Sequence, residues 1–358
     1  MTIDFLIVGQ GLAGSLLAWE LINRDCKVLL IDNGIENASQ CAAGLINPVT
    51  GMRFVKSTHV DVLLPAAQVY YQKLSHFFQH SFYIEKTMLR IFNSEKESHN
   101  AQKRRQDVSY RAYLAEIFQP DAELDLSGFK NLTGLNASFG MIEQLQTAYL
   151  LTQPLLSALK QFFIAQNCYQ QHQFDYQEIN LQPSLSWRGI QAKKIIFCEG
   201  YQLRDNPWFS ALPLQLAKGE ILTLETPNSL PNHLLNYGHW LIPLENNLFK
   251  TGATFDTLQL DTQCTEQARI LLLNSLEKRL PDLAAATVIK QQANIRPCTL
   301  DKQPFIGLHP RYPELAIFNG FGAKGSLQIP YYSQQFADKL LHNKALDSGV
   351  DVQRYQLS

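Results

Sequence analysis

The sequence predicts an α/β fold with two interleaved units: a parallel sheet covered by helices, and an α+β unit that contains an antiparallel sheet. Three observations predict it. The chain has 358 residues, more than one compact core usually holds. Its amino-terminal segment, up to Asp32, reads as strand, helix and strand. Residues 214–255 instead carry short β-like runs separated by Pro, Asn and Gly, which is typical of an antiparallel sheet.

The amino-terminal pattern justifies the parallel sheet. Residues 3–8 form a nearly continuous apolar run, as expected of a buried parallel strand. Residues 12–23 have helical periodicity, and residues 27–31 form a second apolar run that Asp32 closes. A strand, a helix and a strand in this order predict a βαβ unit.

A Gly-x-Gly-x-x-Gly motif joins the first strand to the first helix. Gly9 permits a tight turn, Gly11 lets a pyrophosphate approach the helix N-terminus, and Gly14 lets the helix pack close to the sheet. Asp32 stands at the end of the next strand, at the spacing from Gly9 that suits an acceptor for the hydroxyls of a ribose. The alternative is a chance glycine turn in an ordinary βαβ unit. The context favours a Rossmann-like dinucleotide site, and the motif alone does not decide which dinucleotide binds.

The rest of the chain predicts further elements of both kinds. Residues 93–107 are strongly polar, and their basic triplet at 103–105 predicts a solvated surface turn. Residues 39–48 are small, which suits either a backbone lying against a flat ligand or a simple transition from helix to loop. The other expected elements are helices at 60–80 after Pro65, 153–167, 267–280 before Pro281 and 332–341, and strands at 194–198, 220–225, 240–244, 248–254 and 315–318.

Composition excludes several classes of protein. The net charge is −1, from 31 basic and 32 acidic residues, which argues against a protein that mainly grips nucleic acid. No apolar stretch approaches the roughly 18 residues of a membrane span. The first residues lack the basic region of a signal peptide, so a cytoplasmic location is expected. No cysteine pair has zinc-site spacing, so no metal is expected and the thiols at 26, 41, 168, 198, 264 and 298 are expected to be reduced.

Seven motifs occur in order along the chain. They are Gly9–Gly14; Ala42-Ala43-Gly44-Leu45; Cys198-Glu199-Gly200-Tyr201; Leu212-Pro213 with Lys218-Gly219-Glu220-Ile221; Ile242-Pro243 with Thr251-Gly252-Ala253-Thr254; Asn294–Asp301 with Pro304–Gly307; and Gly320-Phe321-Gly322-Ala323-Lys324-Gly325. Over nearly its whole length the chain thereby resembles the D-amino-acid-oxidase-like (DAO) FAD-dependent oxidoreductases, near the glycine oxidases and the flavin domain of the tRNA carboxymethyl-removing enzymes. Cys198-Glu199 departs from the family's usual Ala-Thr.

The resemblance implies a Rossmann-like FAD-binding domain interleaved with an α+β substrate domain. The expected bounds are 1–60, 140–210 and 290–358 for the FAD-binding domain, and 61–139 and 211–289 for the substrate domain. Non-covalent FAD is expected, because Cys298 lies closer to Asp301 than the cysteine of covalently flavinylated relatives does. The residues implied to bind FAD are Gly9, Gly11, Leu12, Ala13, Gly14, Asp32, Asn33, Ser39, Ala42, Ala43, Gly44, Leu45, Phe174, Cys198, Gly200, Gly320, Gly322, Ala323, Lys324, Gly325 and Ser326.

The activity that the resemblance implies is oxidation of the C–N bond of a small amino acid or N-substituted amino acid. Hydride passes to flavin N5, and molecular oxygen or another acceptor reoxidises the flavin. Arg296 is the candidate for holding the substrate carboxylate, because a guanidinium offers two parallel donors. Its other interpretation is a structural ion pair with Asp301.

Two more residues are candidates for the catalytic site. Trp240, next to His239, lies where relatives place an aromatic residue that faces substrate, although core packing explains it equally well. Lys324 lies in the late glycine turn, where a cation would stabilise negative charge on the reduced flavin, unless its ammonium simply reaches solvent. Cys41 and Cys298 are expected near the flavin as small packing residues.

Three other functions stay open from the sequence. An oxidase of a carboxymethylaminomethyl group on tRNA wobble uridine would share the whole pattern, although the net charge offers no obvious basic surface for nucleic acid. An NAD-dependent dehydrogenase would share only the amino-terminal segment that ends at Asp32. A flavin-binding protein without activity would share the cofactor residues alone.

Overall fold

The computed structural model describes residues 2–119, 132 and 134–357 of the chain. The remaining part of the predicted substrate segment 61–139 lies outside the described residues. The helices are α1 (Leu12–Ile22), α2 (Ala38–Cys41), α3 (Val60–Phe78), α4 (Glu95–Gln106), α5 (Thr152–Ala165), α6 (Glu266–Arg279) and α7 (Gly325–His342). The first strands are β1 (Thr2–Val8), β2 (Val28–Asp32), β3 (Leu45–Ile46), β4 (Val49–Thr50), β5 (Val55–Lys56), β6 (Tyr83–Glu85), β7 (Met88–Ile91), β8 (Leu114–Phe118), β9 (Met141–Gln144), β10 (Ala148–Leu150) and β11 (Tyr169–Gln171).

The later strands supply the rest of both large sheets. They are β12 (Ile179–Asn180), β13 (Ser186–Trp187), β14 (Ile190–Phe197), β15 (Leu214–Glu225), β16 (Leu234–Asn236), β17 (Trp240–Pro243), β18 (Leu248–Gly252), β19 (Thr287–Thr299), β20 (Phe305–Leu308) and β21 (Leu315–Asn319). The predicted α/β fold class is confirmed.

The first sheet is built around β1. This strand pairs in parallel with β2 on one side and β14 on the other, and β11 and β21 extend the parallel set outward. Residues 5–8 are buried because both sheet faces are covered. Helices α1, α5 and α7 pack their apolar faces on one side of the sheet. The βαβ unit predicted at the amino terminus is confirmed.

The second sheet has the strand order β19-β15-β18-β17-β16-β7-β9-β8, and its pairs are antiparallel except β16 with β7. Its longest pairing joins β15 to β19 from Leu214 with Thr299 to Glu225 with Thr287. Helix α6 packs against this sheet through Leu272 and Leu276. The predicted antiparallel region was correct but too short, since β19 and the strands before residue 150 carry weaker sequence signals.

Helix α4 was not predicted, and α3 and α7 begin earlier than predicted. Helix α4 covers the region expected to be a surface turn, because Ser94 caps its N-terminus and acidic first-turn and basic last-turn residues suit the helix dipole. Helix α3 begins at Val60 and contains Pro65, and α7 begins at Gly325 and contains Pro330. In both, burial of an apolar face outweighs the proline.

The proposed division into domains is crossed by two segments. Helix α3, expected in the substrate domain, packs against α1 and α7 through a shared apolar core. Strand β19, expected from residue 290 in the FAD-binding domain, pairs with β15 in the antiparallel sheet. The interleaving itself stays a proposal. No helix in the described part of the chain is long and apolar enough to cross a bilayer.

Candidate active site

A cavity of about 1060 Å³ lies between the carboxyl ends of the parallel strands and one face of the antiparallel sheet. Both sheets and the N-termini of α1 and α7 contribute to its wall. The predicted residues that line it are Gly9, Gly11, Leu12, Ala13, Asp32, Asn33, Ser39, Ala42, Ala43, Gly44, Leu45, Phe174, Cys198, Gly200, Trp240, Arg296, Gly322, Ala323, Lys324, Gly325 and Ser326. Gly14 and Gly320 are not part of this wall.

The first glycine turn has the shape of a phosphate cradle. Gly9 has φ +105°, and a Cβ there would come within 2.6 Å of the Cys198 carbonyl oxygen. A Cβ on Gly14 would overlap the Gly9 carbonyl, so Gly14 serves helix packing. Gly11 differs, because its Cβ would meet nothing closer than Ser39 Oγ at 3.4 Å and Gly11 lines the cavity. The turn therefore leaves open the space that a pyrophosphate needs.

Asp32 and Ser39 flank this cradle. Asp32 Oδ2 accepts from the Gln10 N–H at 2.7 Å, and Oδ1 accepts from the Gly34 N–H at 2.8 Å. These bonds fix the carboxylate at the cavity wall, where a ribose hydroxyl could reach it. Ser39 Oγ accepts from the Leu12 N–H at 3.0 Å at the start of α1. The structure fits the adenosine and pyrophosphate part of a dinucleotide.

The small-residue segment after β2 resolves into the short helix α2 followed by β3. Gly44 has φ +71° and lies against Leu150, whose N–H donates to the Gly44 carbonyl at 2.9 Å. Thr152 Oγ1 donates to the Ala42 carbonyl at 3.2 Å. These contacts hold Ala42 and Ala43 against the cavity. The segment can therefore lie along a flat ligand, as the first of its two interpretations from the sequence required.

Arg296 is half-buried and has no acidic partner in the described part of the chain. Its Nη1 and Nη2 both donate to the Thr254 carbonyl at 3.3 Å, and its guanidinium lies 6.0 Å from the Phe255 ring centre. Burial lowers the pKa of Arg296, against the smaller opposing effect of Cys298. Asp301, the alternative partner, instead accepts from Arg354 Nε at 2.8 Å. The guanidinium thus faces the cavity without a neutralising charge.

Lys324 is a second cation at the cavity wall. It stands at the N-cap position of α7 without a side-chain capping hydrogen bond, and the ion pairs of the described residues do not include it. Burial, followed by the positive charge of Lys302, lowers the pKa of Lys324. Trp240 lines the cavity from β17, while its neighbour His239 has a pKa lowered by burial.

The two cysteines expected near the flavin differ in position. Cys41 lines the cavity, and burial raises the pKa of its thiol to about 12, with Glu36 adding to the effect. Cys298 packs behind the late glycine turn, where a Cβ on Gly322 would come within 3.2 Å of its Sγ. All six cysteines are unpaired.

Sequence reasoning missed several polar residues of the wall. Glu199 appeared only as a departure from a family motif, yet burial raises the pKa of its carboxyl to about 7. Tyr176 Oη donates to Glu199 Oε1 at 2.6 Å, and Asn206 Nδ2 donates to Oε2 at 2.9 Å. Arg90 and Asn236 also line the cavity. Their sequence neighbourhoods carry no motif that would identify them.

Comparison with known proteins identifies the family of this chain. A family model described as FAD dependent oxidoreductase (DAO) matches residues 4–339. This chain belongs to that family. The predicted family and its FAD cofactor are confirmed, and the NAD-dependent alternative loses its support.

Two curated relatives match this chain in sequence at low identity. Glycine oxidase of Pseudomonas putida is 29% identical over 130 residues, which cover 36% of this chain and 36% of that protein. The bifunctional protein MnmC of Marinobacter nauticus, named for tRNA 5-methylaminomethyl-2-thiouridine biosynthesis, is 22% identical over 365 residues, or 96% of this chain and 56% of that protein. The chain thus spans about half or less of the length of these relatives.

Solved structures agree on the fold. Glycine oxidase from Geobacillus kaustophilus superposes with a TM-score of 0.83 at 19% identity, covering 100% of this chain and 98% of that one. Iminodiacetate oxidase from Chelativorans superposes with a TM-score of 0.79 at 19% identity, covering 99% of both chains. At these identities the likeness concerns the fold alone.

Proposed function

We propose that this flavoprotein oxidises an amine that carries a neighbouring carboxylate. The observation that carries the proposal is Arg296, a half-buried guanidinium that faces the cavity and has no acidic partner among the described residues. A desolvated cation without a counter-ion is costly, and a carboxylate ligand supplies the missing charge with two parallel hydrogen bonds. The names of several relatives concern glycine, iminodiacetate and other amino acids, which share this chemistry.

The cofactor would be held without a covalent bond by the first glycine turn, Asp32, Ser39 and the segment at 42–45. Once bound, FAD supplies a hydride acceptor for the carbon that bears the amine. The late glycine turn brings the N-terminus of α7 to the same cavity, so its backbone N–H groups and Lys324 favour negative charge there. Lys324 would thus stabilise negative charge on a cofactor bound there.

Substrate positioning falls to the antiparallel sheet. Arg296 on β19 fixes the carboxylate, which sets the distance and direction of the neighbouring carbon. Trp240 on β17 lines the same cavity and excludes water from one side of the substrate. The amine needs no catalytic base if it binds in its neutral form, and we assign none. An oxygen molecule or another acceptor completes the turnover.

The test is Arg296→Lys. The variant keeps a positive charge but loses one of two charge-assisted hydrogen bonds, which costs about 1.5–3 kcal/mol or roughly ten- to a hundred-fold in kcat/KM. The measurement is anaerobic bleaching of the flavin by glycine, sarcosine, D-proline and D-alanine. Arg269→Lys, on the exposed face of α6, is the matched control. Bleaching of Arg296→Lys at the wild-type rate and concentration dependence would disprove the carboxylate role.

A second candidate function is oxidation of a carboxymethylaminomethyl group on tRNA. The match to MnmC over 96% of the chain favours it, and so do two basic residues, Arg53 and Arg104, that lie near Met52 of the cavity wall. Met52 lines the cavity and accepts through its carbonyl from Asn100 of α4, while Arg104 of α4 donates to the Arg53 carbonyl at 3.3 Å. Salt-dependent binding of unmodified tRNA that Arg104→Glu weakens would support this candidate. Absence of such binding would leave oxidation of a small amino acid as the remaining candidate function.

A further inference from the structure

The cavity-facing side of the antiparallel sheet carries a row of residues in direct register. Arg90 on β7 pairs with Asn236 on β16, Asn236 pairs with Trp240 on β17, and the row continues through Gly252 to Ile221 on β15. Residues directly opposite each other on neighbouring strands share a face of the sheet. Arg90, Asn236, Trp240 and Ile221 accordingly all line the cavity.

Arg90 lies at the far end of this row and is held rigidly. Its residue is 5% exposed. Its Nε donates to Glu97 Oε1 at 3.1 Å, its Nη2 donates to the same oxygen, and its Cζ lies 4.1 Å from the Phe54 ring centre. Glu97 Oε2 accepts from the backbone and side-chain N–H groups of Asn93. The carboxylate is therefore saturated, and the pair is neutral as a whole.

Two donors at this end are unused. The hydrogen bonds and ion pairs of the described residues do not involve Nη1 of Arg90. They do not involve Nδ2 of Asn236 either, whose Oδ1 accepts from the Gly238 N–H at 3.5 Å. The two side chains stand on adjacent strands at paired positions, so their donors converge on one part of the wall. Unused donors at the cavity wall are complementary to a hydrogen-bond acceptor.

The separation of the two ends sets the length of the ligand. Arg296 projects over Gly219 of β15, because a Cβ on Gly219 would come within 2.6 Å of its Nη1. Three strand intervals separate β15 from β16, and four separate it from β7. At about 4.8 Å an interval, these backbones lie roughly 14–19 Å apart, part of which the two side chains span. Glycine alone could not reach from one end to the other.

We propose that Arg90 and Asn236 form a second binding subsite, which takes a neutral hydrogen-bond acceptor such as a carbonyl at the end of the substrate remote from its carboxylate. The preferred substrate is then an elongated amino acid or N-substituted amino acid rather than glycine. This inference rests on the proposed function, because it takes Arg296 as the site of the carboxylate. The neutral Arg90–Glu97 pair favours an amide or ketone oxygen over a second full charge.

The probes are inert thioethers with a carboxylate at one end and a carboxamide at the other, with one to five methylene groups between sulfur and carboxamide. Each is compared with the alkyl thioether of equal length, and Kd is measured by calorimetry on the FAD-loaded protein. For at least one length we expect the carboxamide to bind ten-fold more tightly or better. Equal affinities within every pair overturn the subsite.

Variants separate this role from a structural one. Asn236→Ala removes one donor, and Arg90→Lys keeps a cation for Glu97 while removing Nη1. Each should reduce the carboxamide-to-alkyl affinity ratio three- to ten-fold and leave binding of the alkyl thioethers within two-fold, whereas Asn180→Ala on the exposed β12 should change neither. Equal weakening of both probe classes shows a structural role and contradicts the proposal.

Flavin bleaching and probe affinity together distinguish failure of the proposed function from failure of the subsite. If the carboxamide binds ten-fold more tightly than the alkyl thioether but amines of matching length do not bleach the flavin, the subsite is supported and the proposed reaction is contradicted. If glycine or sarcosine bleaches the flavin and the ratio is one, the reaction stands and the subsite fails.

Discussion

Gly219→Ala tests the proposed role of Arg296 as carboxylate clamp without changing Arg296 itself. A Cβ at position 219 would lie 2.6 Å from Arg296 Nη1 and closer still to Cζ and Nη2, against the 3.4–4 Å of ordinary contact. The guanidinium is the far end of a flexible side chain, so it can move and the strand can keep its register with β19. The substitution therefore displaces the clamp and leaves the fold and the cofactor cradle intact.

The size of the effect follows from the displacement. Restoring contact distance to Nη1 alone requires a shift of about 1 Å, and Nη2 has to move further. Misplacement of about 1 Å costs roughly a hundred-fold in rate, comparable with losing one charge-assisted hydrogen bond. We therefore expect kcat/KM for a bleaching amino acid to fall about a hundred-fold, with flavin content and Tm close to wild type.

The assay is anaerobic stopped-flow reduction of the flavin over a range of substrate concentrations. Gly349→Ala is the matched control, because Gly349 is exposed and its Cβ would meet only Asp347 Oδ1 at 3.4 Å. A Gly219→Ala protein that is reduced with wild-type kinetics would show that the carboxylate does not depend on the observed position of Arg296.

Three further changes probe other parts of the wall. Gly11→Val should abolish flavin retention, because its side chain enters the space open to a pyrophosphate; purified variant at full flavin stoichiometry would refute the cradle. Lys324→Met should lower the flavin potential by roughly 30–60 mV, equivalent to about 1.5–3 kcal/mol, and weaken sulfite binding; unchanged values would place the ammonium away from the ring. For Glu199, the folded-state pKa of about 7 exceeds the ordinary 4.5, so the stability it contributes is present below about pH 4.5 and is lost as pH rises through 7. Glu199→Gln should therefore raise Tm at pH 8, by the equivalent of about 1–3 kcal/mol, and change little at pH 4.5; a gain independent of pH would contradict this.

The geometry of the expected cofactor half of the site was predictable because its residues are close together in the sequence. One turn carries Gly9 and Gly11, and Asp32 follows at the end of the next strand, so spacing and periodicity were sufficient. The late turn around Lys324 was recognised only through resemblance. Its helix was predicted too short, because α7 begins inside the glycine turn at Gly325 and continues through Pro330.

The substrate half was less predictable because its residues meet only through strand pairing. Arg90 and Asn236 are far apart along the chain, yet they become neighbours when β7 pairs with β16. The register that aligns them with Trp240 depends on hairpins and a parallel pairing that single-strand patterns do not encode. Arg296 could be identified from its motif. That it does not pair with Asp301 could not be predicted, because Asp301 pairs with Arg354 near the end of the chain.

Two cations facing one cavity give the site a preference for negatively charged ligands that neither cation would give alone. Arg296 and Lys324 each have a pKa lowered by burial, so the unliganded protein bears the cost of both desolvated charges. A ligand that supplies negative charge at either position recovers part of that cost and so stabilises the folded chain in proportion to its affinity. Under the proposed function, a carboxylate would do this at Arg296 on β19, and the cofactor would do so at Lys324 at the start of α7. Under the proposed function, binding of substrate and acceptance of its electrons would thus both draw on positive charge that has no acidic partner among the described residues.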